Sequence, residues 1–132
     1  MKGYLGKQII AELLGCKVEA MNSLGTVKRA MLEAAKASNS TVVKSVFHKF
    51  NPQGISGVVV VAESHLAIHT WPEYGYAAVD IFTCGDHTKP KRGLKVLAKL
   101  LGARKIKYKR IKRGILSEVK DDNRKLLLNA NK

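Results

Sequence analysis

The sequence predicts an α+β fold: a two-layer sandwich with a mainly antiparallel sheet, two helices on one face, and dimerisation through or beside the sheet. Three observations predict it. Short apolar or alternating runs bounded by turn residues recur along the chain, which is strand patterning. Only two segments carry apolar residues at helical spacing. The order is strand, helix, at least three strands, helix, strand, and two helices cannot cover both faces of such a sheet. A second copy is the simplest cover for the bare face and would form a two-fold dimer.

Each element has its own signal. Residues 7–14 read as a strand. Asn22 or Ser23 suits a helix N-cap, and Leu24, Val27, Met31, Ala34 and Ala35 follow at helical spacing. Residues 41–50 form a Val-rich strand that ends at the turn signal Asn51-Pro52-Gln53-Gly54. Residues 56–62 read as a buried strand and 65–71 as its partner. A loop over 72–75 leads to a strand over 77–83. Pro90 suits a first helical turn, Leu94, Leu97, Ala98 and Leu101 give that helix its apolar face, and Gly102 stops it. Residues 104–111 form the last strand, where Lys105, Lys107 and Lys109 alternate with Ile106, Tyr108 and Arg110, as on a strand with one wet face. The polar tail after Ser117 is expected to fray.

The chain of 132 residues is expected to be a single domain, with no internal repeat or linker. Its 45% hydrophobic content can build a thin core. No apolar run approaches the roughly 18–20 residues that span a membrane. Met1-Lys2-Gly3-Tyr4 offers no apolar signal core, and the distant Cys16 and Cys84 make no disulfide framework, so a cytoplasmic location is expected. The net charge of +14 is uneven, because every charged residue between 89 and 113 is Lys or Arg. Such a surplus can attract a polyanion. A solvated lysine-rich face accounts for it more simply, and no nucleic-acid signature is present. Nucleic acid is therefore not expected as a partner.

The chemistry concentrates in residues 63–76, Glu-Ser-His-Leu-Ala-Ile-His-Thr-Trp-Pro-Glu-Tyr-Gly-Tyr, with Cys84 soon after. A zinc site would use His65 and His69, four apart on one strand face, and a third ligand such as Cys84 or His87. H-E-x-x-H and Cys-x-x-Cys are both absent, so no metal is expected. Ser64 lacks the G-x-S-x-G elbow of a serine hydrolase. Gly54-Ile55-Ser56-Gly57 lacks the lysine and spacing of a phosphate-binding loop.

Residues 63–85, together with Phe47-His48-Lys49-Phe50 and Gly54-Ile55-Ser56-Gly57, closely resemble the core of the prokaryotic pyruvoyl-dependent S-adenosylmethionine decarboxylase proenzymes. The resemblance is nearly continuous over residues 47–86, although Ala67 stands where the family often has serine or threonine. It implies self-cleavage between Glu63 and Ser64 into a β chain, 1–63, and an α chain, 64–132. Ser64 would become a pyruvoyl group, which forms a Schiff base with the substrate amine and takes up the electrons released with carbon dioxide. The resemblance also assigns roles. His69 serves as the processing base, Ser56 assists processing, and Cys84 returns a proton to the carbon that loses carbon dioxide. Phe50 and Trp71 would flank the adenine, and Glu73 would face the ribose or the cationic part of the substrate. His65 is expected to support structure, and His48 has no assigned role. The implied product is the aminopropyl donor of spermidine synthesis, made by a homodimer of processed protomers. Relatives of this fold decarboxylate arginine or ornithine instead. A guanidinium or ammonium substrate calls for carboxylates, and the whole chain has only ten Asp and Glu, which favours S-adenosylmethionine.

Overall fold

A computed structural model describes residues 3–62 and 64–130. Strand β1 (Tyr4–Leu14) leads through a single helical turn, α1 (Val18–Met21), into α2 (Leu24–Ala37). Three strands follow: β2 (Val42–Lys49), β3 (Ile55–Val61) and β4 (Ser64–Trp71). A 3-10 turn, Pro72–Tyr74, introduces β5 (Tyr76–Cys84), and the chain ends with α3 (Pro90–Leu100), β6 (Lys105–Ile115) and α4 (Leu116–Ala130). The strands form one sheet in the order β2-β3-β4-β5-β1-β6, and every neighbouring pair is antiparallel.

The α+β expectation is met, and the predicted helices α2 and α3 pack side by side on one sheet face. Ser23 caps α2 by accepting the Thr26 N–H at 3.2 Å. The core joins Val27, Met31 and Ala34 of α2, Leu94 and Leu97 of α3, and the alternate strand positions Ile9, Ala11, Val59, Leu66, Ile68, Val79 and Ile81. Close helix approach depends on Gly93. A Cβ there would lie 2.6 Å from the Ala34 carbonyl oxygen, a contact that only glycine avoids.

Three differences from the sequence reading have physical reasons. Strands β1 and β6 are longer than expected because they pair along their whole length, from Tyr4↔Ile115 to Leu14↔Lys105. The loop over 72–75 contains a 3-10 turn closed by Gly75, whose φ of 60° suits glycine. The tail does not fray after Ser117 but continues as α4, all of it outside the core. Good helix formers and regularly spaced apolar residues underlie that helix.

The opposite sheet face is bare. On it Ile10, Val46, Val58, Val60 and Ile111 are between 40% and 63% exposed, in two apolar patches, one on β2 and β3 and one on β1 and β6, with the polar residues of β4 and β5 between them. Among the described residues, no helix is long and apolar enough to cross a membrane.

Candidate active site

Register determines which reactive side chains meet. Position 48 of β2 pairs with 56, 56 with 69, 69 with 78, 78 with 12, and 12 with 107. One row on the bare face therefore reads His48, Ser56, His69, Ala78, Glu12, Lys107. Within it the Ser56 hydroxyl and His69 Nδ1 are 2.7 Å apart, a hydrogen bond that orients the ring. Trp71 lies two residues further along the same face. Its ring is 6.4 Å from that of His69 and stacks on Tyr76 at 5.3 Å. Phe50 is exposed just past β2, edge-on to His48 at 4.6 Å. Glu73 is exposed in the 3-10 turn. Phe50, Trp71 and Glu73 thus share one end of the sheet.

Ser64 and Cys84 sit at the other end. Ser64 opens β4 and is buried, and its Oγ accepts the Cys84 backbone N–H at 3.0 Å. Cys84 closes β5 on the bare-face register and is half-buried. Thr83 and Gly85, on either side of Cys84, line a cavity of about 110 Å³ with Tyr4, Leu5, Gly6, Lys7 and Asp86. The buried Thr83 hydroxyl has no hydrogen-bond partner among the described residues. Glu63 lies outside the described residues.

The predicted site residues therefore form two groups rather than one. Ser64 and His69 lie five positions apart on a single strand. At about 3.3 Å per residue that separates them by roughly 16 Å, on opposite faces.

A polar network joins the bare face near Ser64. Asp80 accepts from Gln8 Nε2, and its other oxygen is 3.3 Å from His65 Nε2. Arg113 donates to Gln8 Oε1 at 2.8 Å and stands over the Phe82 ring. The structural role expected of His65 acquires partners here. Asp80, Gln8 and Arg113 do not stand out in the sequence, except that Asp80 interrupts the apolar run Val79-Asp80-Ile81. Further along that face Tyr76 donates to Glu12 at 2.8 Å, and burial together with that carboxylate pushes its pKa up to about 12. Burial alone raises the Cys16 thiol to about 11. Among the described residues, no three His, Cys, Asp or Glu side chains gather as a metal cage.

Comparison with known proteins agrees with this architecture. A family profile described as S-adenosylmethionine decarboxylase matches residues 7–114, from β1 through nearly all of β6, and leaves α4 outside. The S-adenosylmethionine decarboxylase proenzyme of Pseudomonas aeruginosa is 52% identical over 111 residues, covering 84% of this chain and 69% of the relative. The proenzyme of Caldanaerobacter subterraneus subsp. tengcongensis is 48% identical over 114 residues, covering 86% and 92%. The crystal structure of the adenosylmethionine decarboxylase from Aquifex aeolicus superposes with a TM-score of 0.80 at 35% identity, covering 86% of this chain and 93% of that one. The chain belongs to the S-adenosylmethionine decarboxylase family, whose members are pyruvoyl-dependent proenzymes.

Proposed function

We propose that this chain cleaves itself between Glu63 and Ser64 and then decarboxylates S-adenosylmethionine in a site shared by two copies. Family membership supports the reaction. The observation that carries the site is the 3.0 Å contact between Ser64 Oγ and the Cys84 N–H, which joins the pyruvoyl precursor and the proposed proton donor at one sheet end.

Cleavage begins when Ser64 Oγ attacks the carbonyl carbon of Glu63 and the amide becomes an ester. Removal of the Ser64 α-proton expels the Glu63 carboxylate and leaves dehydroalanine. Its imine tautomer takes up water and releases ammonia, which leaves a pyruvoyl cap on residues 64–132. That group supplies a ketone that draws electrons from the substrate as carbon dioxide departs. The Thr83 hydroxyl, without a partner among the described residues, and the neighbouring cavity suit a new polar group beside Cys84.

The other residues hold or move protons. His69, oriented by Ser56, is the base for the α-proton. Cys84 carries the proton that the product carbon receives. Phe50 and Trp71 flank the adenine, and Glu73 faces the cationic part of the substrate.

A base must come within about 3 Å of its proton. The roughly 16 Å between Ser64 and His69 in one chain supports a site built from the Ser64 of one protomer and the partner's His69. The bare apolar face is the surface on which a homodimer would form, with Phe50, Trp71 and Glu73 serving the neighbour's pocket. A cytoplasmic location accords with this chemistry.

Intact-mass analysis tests the reading. The purified protein is expected to contain 1–63 and a pyruvoyl-capped 64–132, whereas Ser64→Ala stays whole. Decarboxylation should require S-adenosylmethionine and not proceed with arginine or ornithine. An uncut chain after long incubation, or turnover of arginine or ornithine alone, would overturn it.

A further inference from the structure

Maturation of residue 64 needs an oxygen atom from outside the chain. Ser64 gives up its hydroxyl and its backbone nitrogen, and the ketone that replaces them takes its oxygen from water.

Sheet register sets one hydroxyl beside the reacting carbon. His65 pairs with Phe82, so one step further Ser64 stands opposite Thr83, and Thr83 in turn pairs with Lys7. Ser64 and Thr83 are both buried on the helix-covered face, while Cys84 belongs to the other face. Residues directly opposite in an antiparallel pair have Cβ atoms about 4.5–5.5 Å apart. The Thr83 hydroxyl is therefore a neighbour of the Ser64 side chain, yet Ser64 Oγ bonds to the Cys84 N–H instead. Thr83 is 0% exposed, and its hydroxyl has no hydrogen-bond partner among the described residues. A buried polar group in that state is costly and calls for an explanation.

Thr83 also lines the cavity of about 110 Å³ at this end of the sheet. A buried water needs roughly 10–15 Å³ and two to four polar partners. The cavity has room for several, and Lys7 and Asp86 line it together with Thr83. Lys7 Nζ reaches the Thr88 carbonyl at a long 3.5 Å and keeps other donors for water.

Building on the cleavage reading above, we propose that the Thr83 hydroxyl holds the water that completes the pyruvoyl group, and then donates to the ketone oxygen which that water leaves behind. In the imine tautomer of dehydroalanine, the water oxygen bonds to the α-carbon of residue 64 and the carbon–nitrogen double bond becomes single. That bond then breaks, and the nitrogen departs as ammonia with both protons of the water. Nothing is oxidised or reduced. A hydroxyl idle in the uncut chain thus gains its partner at the step that creates one.

Timed borohydride reduction of the folded protein tests this. It turns a finished ketone into lactyl and an unhydrolysed imine into alanyl at the head of 64–132, and peptide mass tells them apart. Thr83→Val keeps the side-chain shape without the hydroxyl. It should cleave at the unsubstituted rate but form ketone about tenfold more slowly, the worth of one hydrogen bond, so that alanyl accumulates. Thr83→Ser should restore the rate. In the uncut Ser64→Ala background, Thr83→Val should leave the thermal midpoint unchanged or raise it, since no hydrogen bond is lost. Ketone formed at the unsubstituted rate in Thr83→Val would overturn the proposal. So would a lowered midpoint, which would reveal a structural partner, a Thr83→Val chain that stays uncut, or no rescue by serine. An uncut unsubstituted chain would be a different failure, that of the cleavage reading itself, and would remove the proposal with it.

Discussion

Mixing two inactive variants should restore activity, because the proposed site draws on two chains. Ser64→Ala lacks the attacking hydroxyl, and His69→Ala lacks the base. Within one β4 strand these residues lie roughly 16 Å apart on opposite faces, too far for proton transfer. In a mixed dimer, one site combines both lesions and is dead. The other combines an intact Ser64 with the partner's intact His69. Random pairing of equal amounts makes about half of all dimers mixed, each with one good site, so roughly a quarter of wild-type activity should appear. About half of the His69→Ala chains should carry the pyruvoyl cap, and none of the Ser64→Ala chains. Co-expression with differently tagged chains, then intact mass and a decarboxylation assay, reads both quantities. If each variant alone is inactive and the mixture is too, although mixed dimers are recovered, the shared-site reasoning fails.

Other perturbations separate chemistry from scaffold. Cys84→Ala should still cleave, while decarboxylation drops by about 10²–10⁴, the usual worth of a positioned acid; a chain blocked at cleavage would contradict the assigned role. Gly57→Ala should cost about 1–3 kcal/mol and lower the thermal midpoint by several degrees, because the new Cβ would lie 2.1 Å from the Phe47 ring. An unchanged midpoint would mean that the ring moves aside freely. The buried Cys16 thiol keeps its proton up to about pH 11 when folded, against its ordinary 9.0. Its stabilisation is complete below about pH 9 and is lost as pH rises towards 11. Urea midpoints of Cys16→Ala should therefore fall less across that window than those of the unsubstituted chain.

Much of the fold was legible because strand alternation and the two amphipathic helices are local signals. The residues of β3 and β4 declare themselves as two apolar runs around one short turn. That turn also carries the register. Val61 opposite Ser64 necessarily sets Ser56 opposite His69, so their hydrogen bond follows from a hairpin length that the sequence contains. The separation of Ser64 from His69 follows from the same strand, but a linear motif makes the two look adjacent. The network around Asp80 was not legible. Gln8, His65 and Arg113 come from β1, β4 and β6, and only sheet order brings them together. The terminal helix was not legible, because its few apolar residues are interspersed with charges over only 15 residues and none of them is buried. The cationic segment has a physical setting as well. Its second half forms most of the edge strand β6, where rows of Lys and Arg discourage edge-to-edge pairing of sheets.

The sheet order β2-β3-β4-β5-β1-β6 has a consequence for any chain cut after residue 63. The first piece would own β1, β2 and β3, and the second β4, β5 and β6. Across the sheet their strands would run first, first, second, second, first, second. The pieces would be interlocked, sharing three ladders, β3 with β4, β5 with β1, and β1 with β6. Neither piece could leave without taking the sheet apart, so a cut in the turn would release nothing. Once unfolded, however, the two pieces must find each other again by diffusion. Folding, a first-order event for the newborn chain, becomes second-order after maturation, and recovery from denaturation would then depend on concentration.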